Sequence, residues 1–321
     1  MRDSVFRGGP DPAYADGDDA TWMGVDWPSL QRTLELDGQR VNVLDTGVPP
    51  GGDGGRPALL FVHGWSSNWQ IFLLNIAAFM DTHRVLALDL PGFGASPLPE
   101  DGLSIRGYAR TVDAVCDALG VERVAVVGNS MGGFIGAELA LSFDTRVDRL
   151  VLVSAAGLST EALPRLPVLA AARLVSAGTP YARVFESTVV HRPRLRRALM
   201  GWVVRYPERL SVPLAQELVL SFGKPGFVDA LRAMLEYSYR DRLPRIRIPV
   251  LIVWGRNDLL VPVADAYTYA GLLGDRARIR IFDDTGHVPM LERPSRFNEL
   301  LRGFLAGEAA PEAGVPGVTR G

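Results

Sequence analysis

The chain has one cysteine, one lysine and four histidines among its 321 residues. Each scarcity removes a class of chemistry. A single thiol, Cys116, can neither close an internal disulfide nor anchor a cysteine-cluster metal site. The lysine, Lys224, is followed by Pro225, so a Gly-Lys-Ser/Thr phosphate loop is absent and Schiff-base chemistry would rest on that one side chain. No apolar run reaches the roughly 18 residues of a membrane-spanning helix. The opening "MRDSVFRGGPDPAYADGDD" has no apolar signal core, and residues 1–29 are expected to form an acidic tail. A cytoplasmic protein without cofactor, metal or nucleic-acid partner, acting on a small-molecule substrate, is the expectation. The oligomeric state is left open.

The net charge of −2 conceals an asymmetry. Between Leu158 and Arg247, 14 arginines and one lysine stand against seven acidic residues, an excess of +8. The simplest reading is a solvated helical face; attraction for an anionic substrate, or weak contact with an anionic membrane surface, is the functional one.

Six apolar runs read as buried strands: "ALLFVHG" (58–64), "RVLALDL" (84–90), "RVAVVGN" (123–129), "RLVLVSA" (149–155), "PVLIVWG" (249–255) and "ARIRIFD" (277–283). A hairpin precedes them, turning at Asp37-Gly38. Helices are expected at 68–80, 104–119, 131–143, 263–273 and 294–305. In the second of these, Ile105, Ala109, Val112, Cys116 and Leu119 share a face, so Cys116 is a packing residue. Strand and helix alternate, which predicts a doubly wound, mostly parallel α/β sheet. The alternation breaks once. From 158 to 243 apolar–arginine helical patterns replace strands, as in "RLRRALMGWVVRY". The expected organisation is therefore a core of 30–157 and 244–306, a helical cap inserted at 158–243, and a disordered tail at 307–321.

At "VVGNSMGG" a buried strand stops and a helix begins, with Ser130 between them. Such a bend exposes a side chain above the sheet, and its glycines avoid clashes. The following helix start favours negative charge there. A serine hydroxyl needs a base. His83 precedes a strand and His191 lies in the arginine-rich insertion, so both read as structural or surface residues. His63 and His287 could each reach the edge where strand C-termini gather. Of these two, only His287 follows Ser130 with carboxylates between, the chain order this elbow uses. Asp258, just past a strand end, is the preferred partner for His287, with Asp284 as runner-up and Asp283 close by. Acyl transfer also needs two N–H groups for an oxyanion. The residue after the nucleophile, Met131, supplies one, and the loop after an early strand, at Trp65, the other.

The segments "FVHGWSSNW", "LALDLPGFGAS", "VVGNSMGG", "VLIVWGRND" and "DDTGHVPMLERP" occur in the order found in the α/β-hydrolase superfamily, which the chain resembles over most of 30–306. The resemblance implies Ser130 as nucleophile, His287 as base, Asp258 as its partner, an oxyanion hole at Trp65 and Met131, and a loop-supporting role for Asp89. Dehalogenases and epoxide hydrolases of this superfamily carry aspartate at the elbow, so Ser130 argues against both. Ring-cleavage C–C hydrolases share "GNSMGG", but many carry tryptophan after the histidine, where this chain has Val288. Cofactor-free haloperoxidase-like members also use a serine triad. The expected activity is that of a serine esterase or lipase-like hydrolase. C–C bond hydrolysis and ligand binding without turnover are the alternatives.

Overall fold

The computed structural model describes residues 14–15, 21–50, 56–184 and 186–308. The centre of the glycine-rich linker and the C-terminal stretch from 309, expected to be disordered, lie outside them.

Eight strands form one sheet: β1 (Gln31–Leu36), β2 (Gln39–Asp45), β3 (Ala58–Val62), β4 (Val85–Leu88), β5 (Val124–Asn129), β6 (Val147–Val153), β7 (Val250–Gly255) and β8 (Ala277–Phe282). Their order is β1-β2-β4-β3-β5-β6-β7-β8. The hairpin β1–β2 is antiparallel and joins β4 antiparallel, while every pair from β4 to β8 is parallel. Asp37 and Gly38 both take positive φ, 49° and 82°, as a two-residue hairpin turn matching the strands' twist requires.

The helices are α1 (Trp27–Leu30), α2 (Leu73–Phe79), α3 (Ile105–Ala118), α4 (Met131–Ser142), α5 (Arg165–Val184), α6 (Glu186–Val190), α7 (Pro193–Met200), α8 (Val212–Leu220), α9 (Phe227–Glu236), α10 (Ala264–Leu273), α11 (Pro289–Glu292) and α12 (Pro294–Leu305). The expected helix at 68–80 divides into a 3₁₀ turn, Trp69–Phe72, and α2. The N–H of Trp69 is drawn to Asp89 Oδ1 at 3.1 Å. Helix α3 starts where Ser104 Oγ accepts the Gly107 N–H at 3.0 Å, a side-chain cap.

Alternation along the strands builds two cores. Leu60, Val62, Val126, Leu152 and Ile252 face α3, α4 and α10, and Cys116 is buried among them. Leu59, Phe61, Val127, Val153 and Val253 face α2 and α12. Both faces are covered, so the parallel strands read as unbroken apolar runs. The chain between β6 and β7 is helical and draws on both cores. Phe227, Ala230 and Met234 of α9 join the first, and Met200, Leu214 and Leu218 join the second. It thus packs with residues from both faces of the sheet. No helix among the described residues is long and apolar enough to cross a membrane.

The acidic tail expected at 1–29 is corrected where it is described. Tyr14 and Trp22 are buried, and Trp27 stacks on Trp69 with ring centroids 5.5 Å apart. The apolar area of these aromatic rings outweighs the surrounding acidic composition.

Helix α4 lies directly against the sheet. A Cβ at Gly132 would sit 2.0 Å from the carbonyl oxygen of Val62, a backbone atom that cannot step aside. Gly132→Ala should therefore destabilise by at least the roughly 1–3 kcal/mol typical of overpacking. Urea unfolding of the variant checks this, and an unchanged midpoint would contradict it.

Candidate active site

Ser130 follows β5 directly and precedes α4 with φ 55° and ψ −118°. Four backbone hydrogen bonds hold it there. Its N–H donates to Val153 O at 2.9 Å, and its carbonyl accepts from Gly133, Phe134 and Ala156 at 3.0, 3.2 and 3.1 Å. A non-glycine residue in such a conformation costs roughly 1–3 kcal/mol, which the surrounding bonds offset. The side chain makes no helix-capping bond, so its hydroxyl is not occupied by the α4 terminus.

His287 is held at three points. Its N–H donates to Val203 O at 2.9 Å, and its carbonyl accepts from Asn129 Nδ2 at 3.2 Å. Its Nδ1 lies 2.8 Å from Asp258 Oδ2. Asp258 is buried as a side chain, and its other oxygen accepts the Leu260 and Val261 N–H groups at 2.9 and 3.0 Å. Asp258 thus holds the imidazole by Nδ1, which leaves Nε2 as the ring nitrogen without a part in that bond.

Ser130 and His287 line one pocket, of about 620 Å³ with its open mouth included. Trp65 borders it too. A Cβ on the preceding Gly64 would stand 3.0 Å from Ser130 Cβ, so the loop after β3 rests against the elbow. The Trp65 ring packs on Phe227, centroids 4.2 Å apart, and its Nε1 donates to Phe227 O at 2.6 Å. Met131, with its side chain buried, opens α4, so its N–H is among those with no carbonyl partner inside the helix. The rest of the wall is mainly apolar: Ile71, Met200, Val204, Leu218 and Phe222, with Trp202 and Leu260 partly exposed.

The other candidates are committed elsewhere. His63 is fully buried; its Nδ1 bonds Gly64 O at 2.7 Å and its Nε2 accepts the Leu90 N–H at 2.9 Å. Burial pushes its pKa down, so it is a neutral tie between two loops. His83 meets Thr82, and His191 is exposed. Asp283 pairs with Arg256. Asp284 accepts from Tyr206 Oη at 2.9 Å and lies 3.5 Å from Arg205, not against His287. Asp89 accepts from Asn42, Trp69 and Ala95, holding the loops after β3 and β4.

Residues the sequence did not point to complete the frame: Asn129, Val203 and Glu292. Glu292, fully buried on α11, accepts the Gly286 and Val288 N–H groups on either side of His287 at 2.9 and 3.3 Å. The one sequence signal for Glu292 was a carboxylate directly after the apolar "PML".

A sequence model of the alpha/beta hydrolase fold matches residues 57–294. A 2-hydroxy-6-oxononadienedioate/2-hydroxy-6-oxononatrienedioate hydrolase of Paraburkholderia phymatum is 31% identical, over 83% of this chain and 91% of its own. A 2-hydroxy-6-oxo-6-phenylhexa-2,4-dienoate hydrolase of Comamonas testosteroni is 29% identical, over 77% and 87%. A solved N-acyl homoserine lactone degrading enzyme superposes with a TM-score of 0.66 at 29% identity, covering 85% of this chain and all of that one. The chain belongs to the alpha/beta hydrolase fold family, and it is a hydrolase.

The strain at position 130 can be released. Ser130→Gly should unfold at higher temperature, gaining about 1 kcal/mol once glycine's entropy cost is set against the relieved φ. A lower melting temperature than the parent would contradict the strain.

Proposed function

We propose that the protein is a serine hydrolase that cleaves carboxylic esters with an apolar acyl or alcohol part, through an acyl-enzyme. One observation carries the reading: a serine on a strained turn shares an apolar pocket with a histidine whose far nitrogen is held by a buried aspartate. Ser130 Oγ attacks the ester carbonyl while His287 Nε2 takes its proton. The oxyanion forms between the N–H groups of Trp65 and Met131. The intermediate collapses, and the alcohol leaves with the proton from His287. Water, deprotonated by the same nitrogen, then attacks the acyl carbon, and the acid departs from Ser130. Asp258 keeps the imidazole oriented and stabilises its cation.

The lining favours esters over the dienoates named for the relatives. Those compounds carry carboxylates, and among the described residues bordering this pocket there is no arginine or lysine. Three of the insertion's arginines are engaged outside it: Arg196 on Leu210 O, Arg205 near Asp284, and Arg242 on Glu138. Val288 after the histidine points the same way. The C–C reading draws on the likeness to the dienoate hydrolases.

In this reading 158–243 is a cap that sets chain length. Exposed Leu166 and Leu174 beside exposed Arg165 and Arg173 support weak contact of its outer face with an anionic membrane surface.

Three outcomes are expected. Asp258→Asn should lower kcat by about 10⁴ with the fold intact, as loss of the orienting carboxylate does elsewhere; near-parental turnover would mean another group orients His287. A fluorophosphonate should label the protein and not Ser130→Ala, and failure of the parent to label would favour binding without turnover. Across p-nitrophenyl esters, medium chains should exceed acetate in kcat/KM. A maximum at acetate, or cleavage of a vinylogous diketone acid with inert esters, would overturn ester specificity.

A further inference from the structure

The segment ahead of the family-matched region reaches the back of the site. Tyr14 is buried, and its hydroxyl donates to Glu292 Oε2 at 2.6 Å while accepting the Tyr206 N–H at 2.9 Å. Ala15 N–H donates to Glu292 O at 2.8 Å. The Tyr14 ring stands edge-on to Tyr206, centroids 5.2 Å apart. Glu292 gathers the same neighbours: besides Gly286 and Val288, it accepts the Arg205 N–H at 2.9 Å. One buried carboxylate thus joins three pieces of chain distant in sequence. These are the N-terminal segment, the Val203–Tyr206 stretch behind the pocket wall, and the turn carrying His287.

We propose that Tyr14 is a positioning residue: its hydroxyl, acting through Glu292, holds the His287 turn and the Val203–Tyr206 stretch in fixed relation. This rests on reading His287 as the base. The fit behind the turn is close, since a Cβ at Gly286 would lie 2.9 Å from Val203 O and 3.0 Å from Arg205 N. A small shift of either piece therefore moves the other.

The balance is electrostatic. Burial pushes the Glu292 pKa up, and the donors from Tyr14, Arg205, Gly286 and Val288 oppose that push. No cation bonds the carboxylate among the contacts described. Arg293 and Arg209 lie over the Tyr14 ring at 5.1 and 5.5 Å, and the Arg205 side chain turns to Asp284. His287, next to Gly286, has Asp258 as its own partner. Among the described donors to Glu292 the phenol makes the shortest bond. Without it the carboxylate takes up a proton at higher pH than before. A protonated acid accepts fewer N–H groups, so the His287 turn loosens.

Tyr14→Phe keeps the ring and removes the hydroxyl. Amide exchange at Gly286 and Val288 should rise about tenfold near neutral pH, as loss of a charge-assisted bond allows. In ester hydrolysis, kcat should fall more than KM rises, and the acid limb of kcat/KM should move to higher pH. Tyr108→Phe, which removes a buried hydroxyl bonded to Pro91 O in the other core, should lower the melting temperature without either effect. On a Glu292→Gln background Tyr14→Phe should no longer move the acid limb. A melting-temperature drop in Tyr14→Phe with parental exchange at both amides and an unmoved acid limb would overturn the proposal. If the parent cleaves no ester, the ester reading fails, and amide exchange alone decides the coupling.

Discussion

Everything at the site is arranged around a backbone turn that an L-residue adopts unwillingly. Ser130 sits at φ 55° because β6 on one side and the first turn of α4 on the other take up its N–H and its carbonyl. In this conformation the side chain makes no capping bond to the helix terminus. The conformation also demands room. Gly64 permits the loop after β3 to lie against the serine, and Gly132 lets α4 sit on the end of β3. The unbroken apolar strands supply the rigidity that makes this strain sustainable, since both faces of β5 are covered and all its residues are buried.

Around the turn, buried carboxylates act as connectors. Asp89 ties the loops after β3 and β4, Asp258 ties the β7 loop to His287, and Glu292 ties the His287 turn to the rest. Each accepts several donors, the condition under which a buried charge is tolerated. His63 serves alongside them as a neutral link. The site's geometry is thus held by polar bonds between loops and by apolar packing beneath them.

Strand positions, the elbow and the two candidate histidines were legible because their signals are local. A buried parallel strand shows as a continuous apolar run, and the elbow as glycines around a serine at the end of one. Asp258 stood out by its place after a strand. The break at Asn68–Phe72 was not legible, because it depends on Asp89 taking an N–H from Trp69. Tyr14 and Glu292 lie 278 positions apart, and nothing in either neighbourhood announces the other. The Val203 carbonyl that receives the His287 N–H carries no residue-type signature at all. The arginine excess was visible, but the sequence could not tell that the described residues of the pocket wall include none of it.

The bond from His287 N–H to Val203 O fastens part of the helical insertion to the core. That insertion has two unlike margins. At 203–206 the chain is riveted, through Val203, Arg205 and Tyr206, to the turn bearing the imidazole and to Tyr14. At α5 it rests on α9 and shows Leu166 and Leu174 to water. Polar bonds to the imidazole's turn thus hold one margin, while apolar packing through Val168, Leu169 and Ala172 holds the other.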